Sequence, residues 1–113
     1  MSTVATAATR TNLTDVCLLL AHSAQSVEID LLAVPPSLHR RGIGRAIVEH
    51  VERDLAASGV RLLHLKTFGP SVPNEPYERT RAFYDALGFV ALEERIDIWD
   101  ARNPCLFLVK CIA

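Results

Sequence analysis

The segment Val27–Ser58 reads VEIDLLAVPPSLHRRGIGRAIVEHVERDLAAS, and it decides the fold. Its first part, Val27–Val34, alternates between apolar and acidic residues and then becomes apolar throughout. This pattern predicts a strand whose last residues are buried on both faces. Two prolines stop this strand, because proline has no N–H to donate to a sheet. A basic turn containing Gly42 and Gly44 follows, and the apolar spacing after it predicts an amphipathic helix over about Gly42–Ala57.

A strand, a basic glycine turn and a helix start, in that order, predict an anion site. The first N–H groups of a helix have no partner within the helix, and the helix dipole places partial positive charge there. Glycine lets these groups approach a phosphate without interference from a Cβ. Four side chains add positive charge to the same turn: His39, Arg40, Arg41 and Arg45. We therefore predict a ligand that carries phosphate, with a tight solvated turn as the alternative.

The motif itself differs from two common phosphate-binding motifs. The sequence contains no Walker A run, and a dinucleotide fingerprint would need glycine at Ile47. The run His39-Arg40-Arg41-Gly42-Ile43-Gly44 instead resembles the acetyl-CoA signature of the GNAT N-acetyltransferases, Gln/Arg-x-x-Gly-x-Gly/Ala, with histidine at the first position. The later segments Phe83–Phe89 (FYDALGF) and Asn103–Lys110 (NPCLFLVK) also resemble segments of that family. Together the three segments extend the resemblance over about Val16–Ile112.

The resemblance implies one GNAT-like acetyltransferase domain over residues 1–113. Within it we expect a variable N-terminus at 1–15, the acetyl-CoA signature at 27–58, and a C-terminal helix and strands at 76–112. The implied fold class is α/β, a mixed central sheet with two main helices. We expect the usual N-terminal strand and helices of the family to be missing, since residues 1–15 are too short for them. That loss would expose apolar surface and favour a homodimer.

Periodicity and turn residues predict the order β-β-β-α-β-α-β-β. The predicted strands are Thr3–Ala8, Val16–His22, Val27–Val34, Val60–Thr67, Phe89–Glu94 and Cys105–Ile112; the predicted helices are 42–57 and 76–87. Asn74 is expected to cap the second helix, and Gly59 and Gly88 are expected to end the two helices. Trp99 is expected to anchor an irregular segment, 95–103.

The resemblance also implies acetyl-CoA (CoA) as the cofactor and a set of residues that bind it. Backbone groups of Leu32, Ala33 and Val34 are expected to pair with the pantetheine amides, as an added strand would. Backbone N–H groups from about Arg40 to Arg45 are expected to hold the pyrophosphate. The implied cofactor-binding set is Leu32, Ala33, Val34, His39, Arg40, Arg41, Gly42, Ile43, Gly44 and Arg45.

Acetyl transfer to an amine needs a proton acceptor and a proton donor. A lysine-like amine has a pKa of about 10.4 and arrives protonated. By resemblance, Tyr84 holds the position of the tyrosine near the acetyl-CoA sulfur, where its O–H would donate to the leaving thiolate; packing in the core is the alternative. Glu28 is the candidate base, and Asp30, which regular alternation places on the same strand face, is the second candidate. A solvated or ion-paired acid remains the alternative for both.

Composition limits the class of protein. The 113 residues carry a net charge of −1 and are half hydrophobic, which indicates one domain and neither a general nucleic-acid binder nor a membrane-surface binder. Cys17, Cys105 and Cys111 form no C-x-x-C pair and read as small apolar residues, so we expect no metal site and a reducing, cytoplasmic compartment. The expected partner is a small-molecule or peptide amine acceptor. A catalytically silent CoA-binding module and a purely structural interaction domain remain open.

Overall fold

The computed structural model describes residues 3–7, 16–33 and 42–113. Its elements, in chain order, are β1 (Thr3–Ala7), β2 (Val16–Ala21), β3 (Ser26–Ala33), α1 (Ile43–Ala57), β4 (Leu62–Phe68), α2 (Glu75–Ala86), β5 (Val90–Asp100) and β6 (Asn103–Cys111). The predicted α/β class, with two main helices and this order of elements, is confirmed. Within these described ranges, no helix is long and apolar enough to cross a membrane.

The chain divides into two compact units, residues 1–63 with 111–113, and residues 64–110. In the first unit β2 pairs antiparallel with both β1 and β3. The β2–β3 turn is closed by Ser26 O, which accepts from the N–H groups of His22 and Ser23. The first residues of β4 also belong to this unit, and Leu62 N–H donates to Gln25 O at 2.9 Å.

Strand β3 contains a β-bulge at Asp30. Leu19 lies opposite Ile29 and Leu18 lies opposite Leu31, so Asp30 has no opposite residue on β2. The extra residue shifts the alternation by one position. The prediction that Leu31 and the following residues are buried on both faces is therefore wrong: Leu31 is 48% exposed, and Leu32 and Ala33 are half-buried.

Helix α1 buries the face that its periodicity predicts. Ile43, Ile47, Val48 and Val51 are buried, and Ile47 and Val48 are fully inaccessible. Gly59 follows the last turn with φ +92°, which is the left-handed conformation expected of a glycine after a helix end. The predicted helix end is thus confirmed.

In the second unit the strand order is β4-β6-β5. Helix α2 begins as predicted, since the Asn74 side chain accepts from Tyr77 N–H at 3.2 Å and Pro76 lies in the first turn. It ends before Gly88, whose φ is +94°.

Strand β5 is longer than predicted, and the predicted strand end at Glu94 is wrong. It continues to Asp100 rather than ending at Glu94, and a tight turn leads directly into β6. The Asp100 carboxylate holds that turn by accepting from the N–H groups of Arg102 and Asn103. Trp99 is 48% exposed and does not anchor an irregular segment. Because β5 is an edge strand exposed along nearly its whole length, it has no buried face to impose an apolar alternation on its sequence.

Candidate functional site

The start of α1 has the geometry that an anion site needs. Gly42 is the N-cap, with φ +75° and ψ +10°, a left-handed conformation that glycine adopts at little cost. Its carbonyl accepts from Ala46 N–H at 3.0 Å, which begins the helical ladder. The first turn contains no acidic residue that would repel an anion. The N–H groups of this turn and the positive end of the helix dipole therefore face the same region.

The predicted cofactor-binding residues around this turn differ in exposure. Ile43 is buried and packs in the core, Gly44 is half-buried, and Arg45 is exposed. Arg45 Nη1 lies 3.3 Å from Glu49 Oε2. An exposed pair of this kind contributes less than about 1 kcal/mol, so an anion can compete for the guanidinium.

The remaining members of the predicted set fall into two groups. Leu32 and Ala33 lie half-buried at the end of β3, opposite Cys17 and Val16 on β2. The others lie outside the described residues: Val34, His39, Arg40 and Arg41. Their roles stay predictions.

Glu28, the candidate base, is 3% exposed. Its Oε1 lies 2.7 Å from Nε2 of His22, whose side chain is 42% exposed. A buried carboxylate hydrogen-bonded to an imidazole at the surface can pass a proton between the interior and solvent. Asp30, the second candidate, is exposed at the bulge, so the prediction that it shares a strand face with Glu28 is wrong.

Sequence reasoning did not predict the contribution of His22. The contact arises because β2 and β3 form a hairpin in which Ala21 lies opposite Val27 and Leu20 opposite Glu28. A hairpin register derived from the four-residue turn would have placed the imidazole near the carboxylate.

Tyr84, the candidate acid, belongs to the second unit. It is 6% exposed, and its ring makes edge contacts with Phe83 and Phe89 at centroid distances of 5.0 and 5.3 Å. Nearby, Lys110 Nζ donates to Leu87 O at 2.6 Å and holds the end of α2. The core packing named as the alternative role of Tyr84 is thus present, and the acid role stays a prediction.

The second unit also contains a cavity that the sequence analysis did not predict. Its volume is about 430 Å³, and its walls are Lys66, Thr67, Phe68, Tyr77, Trp99 and Asn103. The signal in the sequence was Trp99, which lies in a strand that otherwise lacks aromatic residues. Among the described residues, no group of three or more His, Cys, Asp or Glu could hold a metal ion.

Comparison with solved structures reveals the same fold in several acetyltransferases. The chain is similar to a protein described as a GNAT-family acetyltransferase from Desulfovibrio desulfuricans, with a TM-score of 0.81 and 23% identity over 99% of this chain and 70% of that one. It is similar to an aminoglycoside 6'-N-acetyltransferase complexed with coenzyme A, with a TM-score of 0.77 and 17% identity over 99% and 73%. A third, a GNAT family acetyltransferase from Elizabethkingia anophelis with acetyl-CoA bound, has a TM-score of 0.71 and 17% identity over 87% and 68%.

The family assignment rests on the sequence. No curated protein matches the chain. The family model described as an acetyltransferase (GNAT) domain matches residues 4–91, which is more than half of the chain. The chain therefore belongs to the GNAT family of acetyltransferases.

Proposed function

We propose that the protein transfers the acetyl group of acetyl-CoA to a primary amine by direct attack. The observation that carries this proposal is the left-handed Gly42 at the start of α1, in a chain of the GNAT family. Two of the similar structures hold coenzyme A and acetyl-CoA, respectively, which supports the same cosubstrate here.

In the proposed reaction the amine nitrogen attacks the thioester carbonyl. A C–N bond forms, the C–S bond breaks, and CoA leaves as a thiolate. Because the acceptor arrives as an ammonium, its nitrogen loses two protons: one is released and one balances the proton that the sulfur gains, so the products are an amide, CoA thiol and one proton. Backbone N–H groups at the start of α1 bind the pyrophosphate, and Leu32 and Ala33 pair with the pantetheine.

We assign the two proton transfers to Glu28 and Tyr84. The Glu28 carboxylate accepts the proton of the amine, and the His22 imidazole exchanges it with solvent, as their 2.7 Å contact allows. The Tyr84 O–H donates to the thiolate. The acceptor is a small-molecule or peptide amine.

Calorimetric titration with acetyl-CoA and with CoA tests the cofactor site, and steady-state kinetics with an amine panel test the transfer. Tyr84→Phe keeps the ring packing but removes the O–H, so kcat should fall about 10²-fold while acetyl-CoA affinity stays the same. Glu28→Gln should lower kcat similarly while acetyl-CoA affinity stays the same. Asp30→Asn, an exposed acid on the same strand, is the matched control and should change neither.

A second candidate function is a catalytically silent CoA-binding module. It is favoured by one observation: Tyr84, the proposed acid, is 6% exposed and packs against Phe83 and Phe89. Stoichiometric CoA binding without acetylation of any amine in the panel would support this candidate and contradict the transferase proposal.

We also propose that the protein forms a homodimer. Three large apolar side chains on edge strand β5 are 60–67% exposed: Val90, Leu92 and Ile96. An exposed edge strand offers unpaired backbone groups to a second chain. Sedimentation at micromolar concentration tests this proposal, and a stable monomer would contradict it.

A further inference from the structure

The cavity of the second unit leaves two large aromatic side chains partly open to solvent. Tyr77 is 41% exposed and Trp99 is 48% exposed, and both line the cavity. Phe68 stacks on Tyr77, with a centroid distance of 5.2 Å and an interplanar angle of 21°. Burying an aromatic ring away from water is strongly favourable. Exposed rings that line a cavity therefore favour the binding of a ligand that covers them.

The walls of this cavity are held in place by hydrogen bonds. Phe68 O accepts from Arg81 Nη1 at 2.6 Å, which fixes the end of β4. Tyr77 N–H donates to the cap residue of α2. Trp99 and Asn103 flank the turn that the Asp100 carboxylate holds. These bonds fix the backbone that carries the aromatic residues, and the stacking of Phe68 on Tyr77 orders two of the rings, which reduces the entropy cost of binding a flat ligand.

The polar part of the lining selects the charge of the ligand. Of the six lining residues only Lys66, an exposed side chain on β4, carries a charge. An ammonium group at the rim of an aromatic cavity attracts an anion and opposes a purely cationic ligand. Asn103 and the buried Thr67 add hydrogen-bonding groups.

The position of the cavity on α2 relates it to Tyr84. Tyr77 and Tyr84 are seven residues apart, so they lie on nearly the same face of the helix, about 10 Å apart along its axis. A small ligand whose ring lies against Tyr77 therefore extends part of the way along α2 toward Tyr84, the proposed acid.

We propose that this cavity binds a compound with an aromatic ring and a carboxylate, the ring lying against Tyr77 and Trp99 and the carboxylate lying at Lys66. Where such a compound also carries a primary amine, as an aromatic amino acid does, it is the acceptor of the acetyl group. This second statement rests on the proposed function, whereas the first does not.

Trp99 makes the binding measurable, because it is the single tryptophan of the chain and it lines the cavity. Its fluorescence is followed during titration, without acetyl-CoA, with three probes: 3-phenylpropionate, 2-phenylethylamine and propionate. We expect 3-phenylpropionate to quench or enhance the fluorescence saturably. The affinity for 2-phenylethylamine should be at least tenfold weaker, and propionate should cause no change in fluorescence. Equal responses to the first two probes, or none to 3-phenylpropionate, would overturn the proposal.

Two substitutions measure separately how much the charge of Lys66 and the ring of Tyr77 contribute to binding. Lys66→Met should remove the preference for 3-phenylpropionate, whereas Arg79→Gln, an exposed cation on α2 that pairs with Glu75 and does not line the cavity, should keep it. Tyr77→Ala should weaken the binding of 3-phenylpropionate about tenfold. Thermal unfolding of this variant shows whether the fold is kept. Unchanged binding in folded Lys66→Met would contradict the assigned carboxylate position.

A final assay distinguishes this inference from the proposed function. L-phenylalanine is supplied with acetyl-CoA, and N-acetyl-phenylalanine is measured. Binding of 3-phenylpropionate without transfer to any amine would contradict the transferase and leave the cavity assignment in place. Transfer to aliphatic amines with no response of Trp99 to the aromatic probes would overturn the cavity assignment and leave the transferase.

Discussion

The two ends of α1 offer a matched pair of substitutions that isolates the proposed cofactor site. Gly42 precedes the helix and Gly59 follows it, and both have a positive φ, +75° and +92°. Among the residues that the structure describes, no heavy atom lies within 4 Å of an added Cβ at either position. Gly42→Ala and Gly59→Ala thus introduce the same methyl group under nearly the same local conditions.

Backbone strain sets the cost in stability for both variants. A non-glycine residue in the left-handed region costs about 1–2 kcal/mol. In a domain of about 100 residues, each kcal/mol lowers Tm by roughly 4 °C, so each variant should lose roughly 4–8 °C. Differential scanning calorimetry checks that the two losses are similar.

Acetyl-CoA binding should separate the two variants. A Cβ at Gly42 lies where the pyrophosphate would approach the first N–H groups of α1, so affinity should fall at least about tenfold, equivalent to ~1.4 kcal/mol. Gly59 lies at the other end of a 15-residue helix, roughly 22 Å away along the axis, and its substitution should leave affinity unchanged. Isothermal titration at a temperature where both variants are folded measures the difference. Equal affinities would refute the assignment of the pyrophosphate to this turn.

Three further predictions concern other parts of the chain. Replacing the α2 cap, Asn74→Ala, should cost about 1 kcal/mol in unfolding free energy, measured by urea denaturation, and an unchanged value would show that the cap contributes nothing. At pH 8 a thiol reagent should label exposed Cys111 but not Cys17, because burial raises the pKa of Cys17 to about 11, and mass spectrometry checks the site. Hydrogen bonds from Ser71 lower the pKa of Glu94, so this interaction stabilises the fold above the ordinary carboxyl pKa and is lost as the pH falls through the lowered one. Ser71→Ala should therefore lower Tm at pH 7 but not in strong acid, and an equal loss at both pH values would contradict the linkage.

Local signals in the sequence predicted the elements of the first unit well. The helix 43–57 has a four-residue apolar spacing and a terminal glycine, and both features act within a few residues. Its start at Gly42 was predicted for the same reason. The bulge at Asp30 was not, because it depends on how β3 pairs with β2 rather than on the residues of β3 alone. That bulge separates buried Glu28 from exposed Asp30, a distinction that regular alternation cannot make.

The sequence by itself determined the order of the elements, the helix ends and the glycine at the start of α1, because these depend on local backbone preferences and short periodicities. Only the tertiary structure decided the contact between His22 and Glu28, the burial of Tyr84 and the aromatic cavity at Trp99. Each of these joins residues that are distant in the chain or lie on different strands and helices. Such contacts form when strand register and packing bring surfaces together, and the periodicities that predict strands and helices do not specify that register.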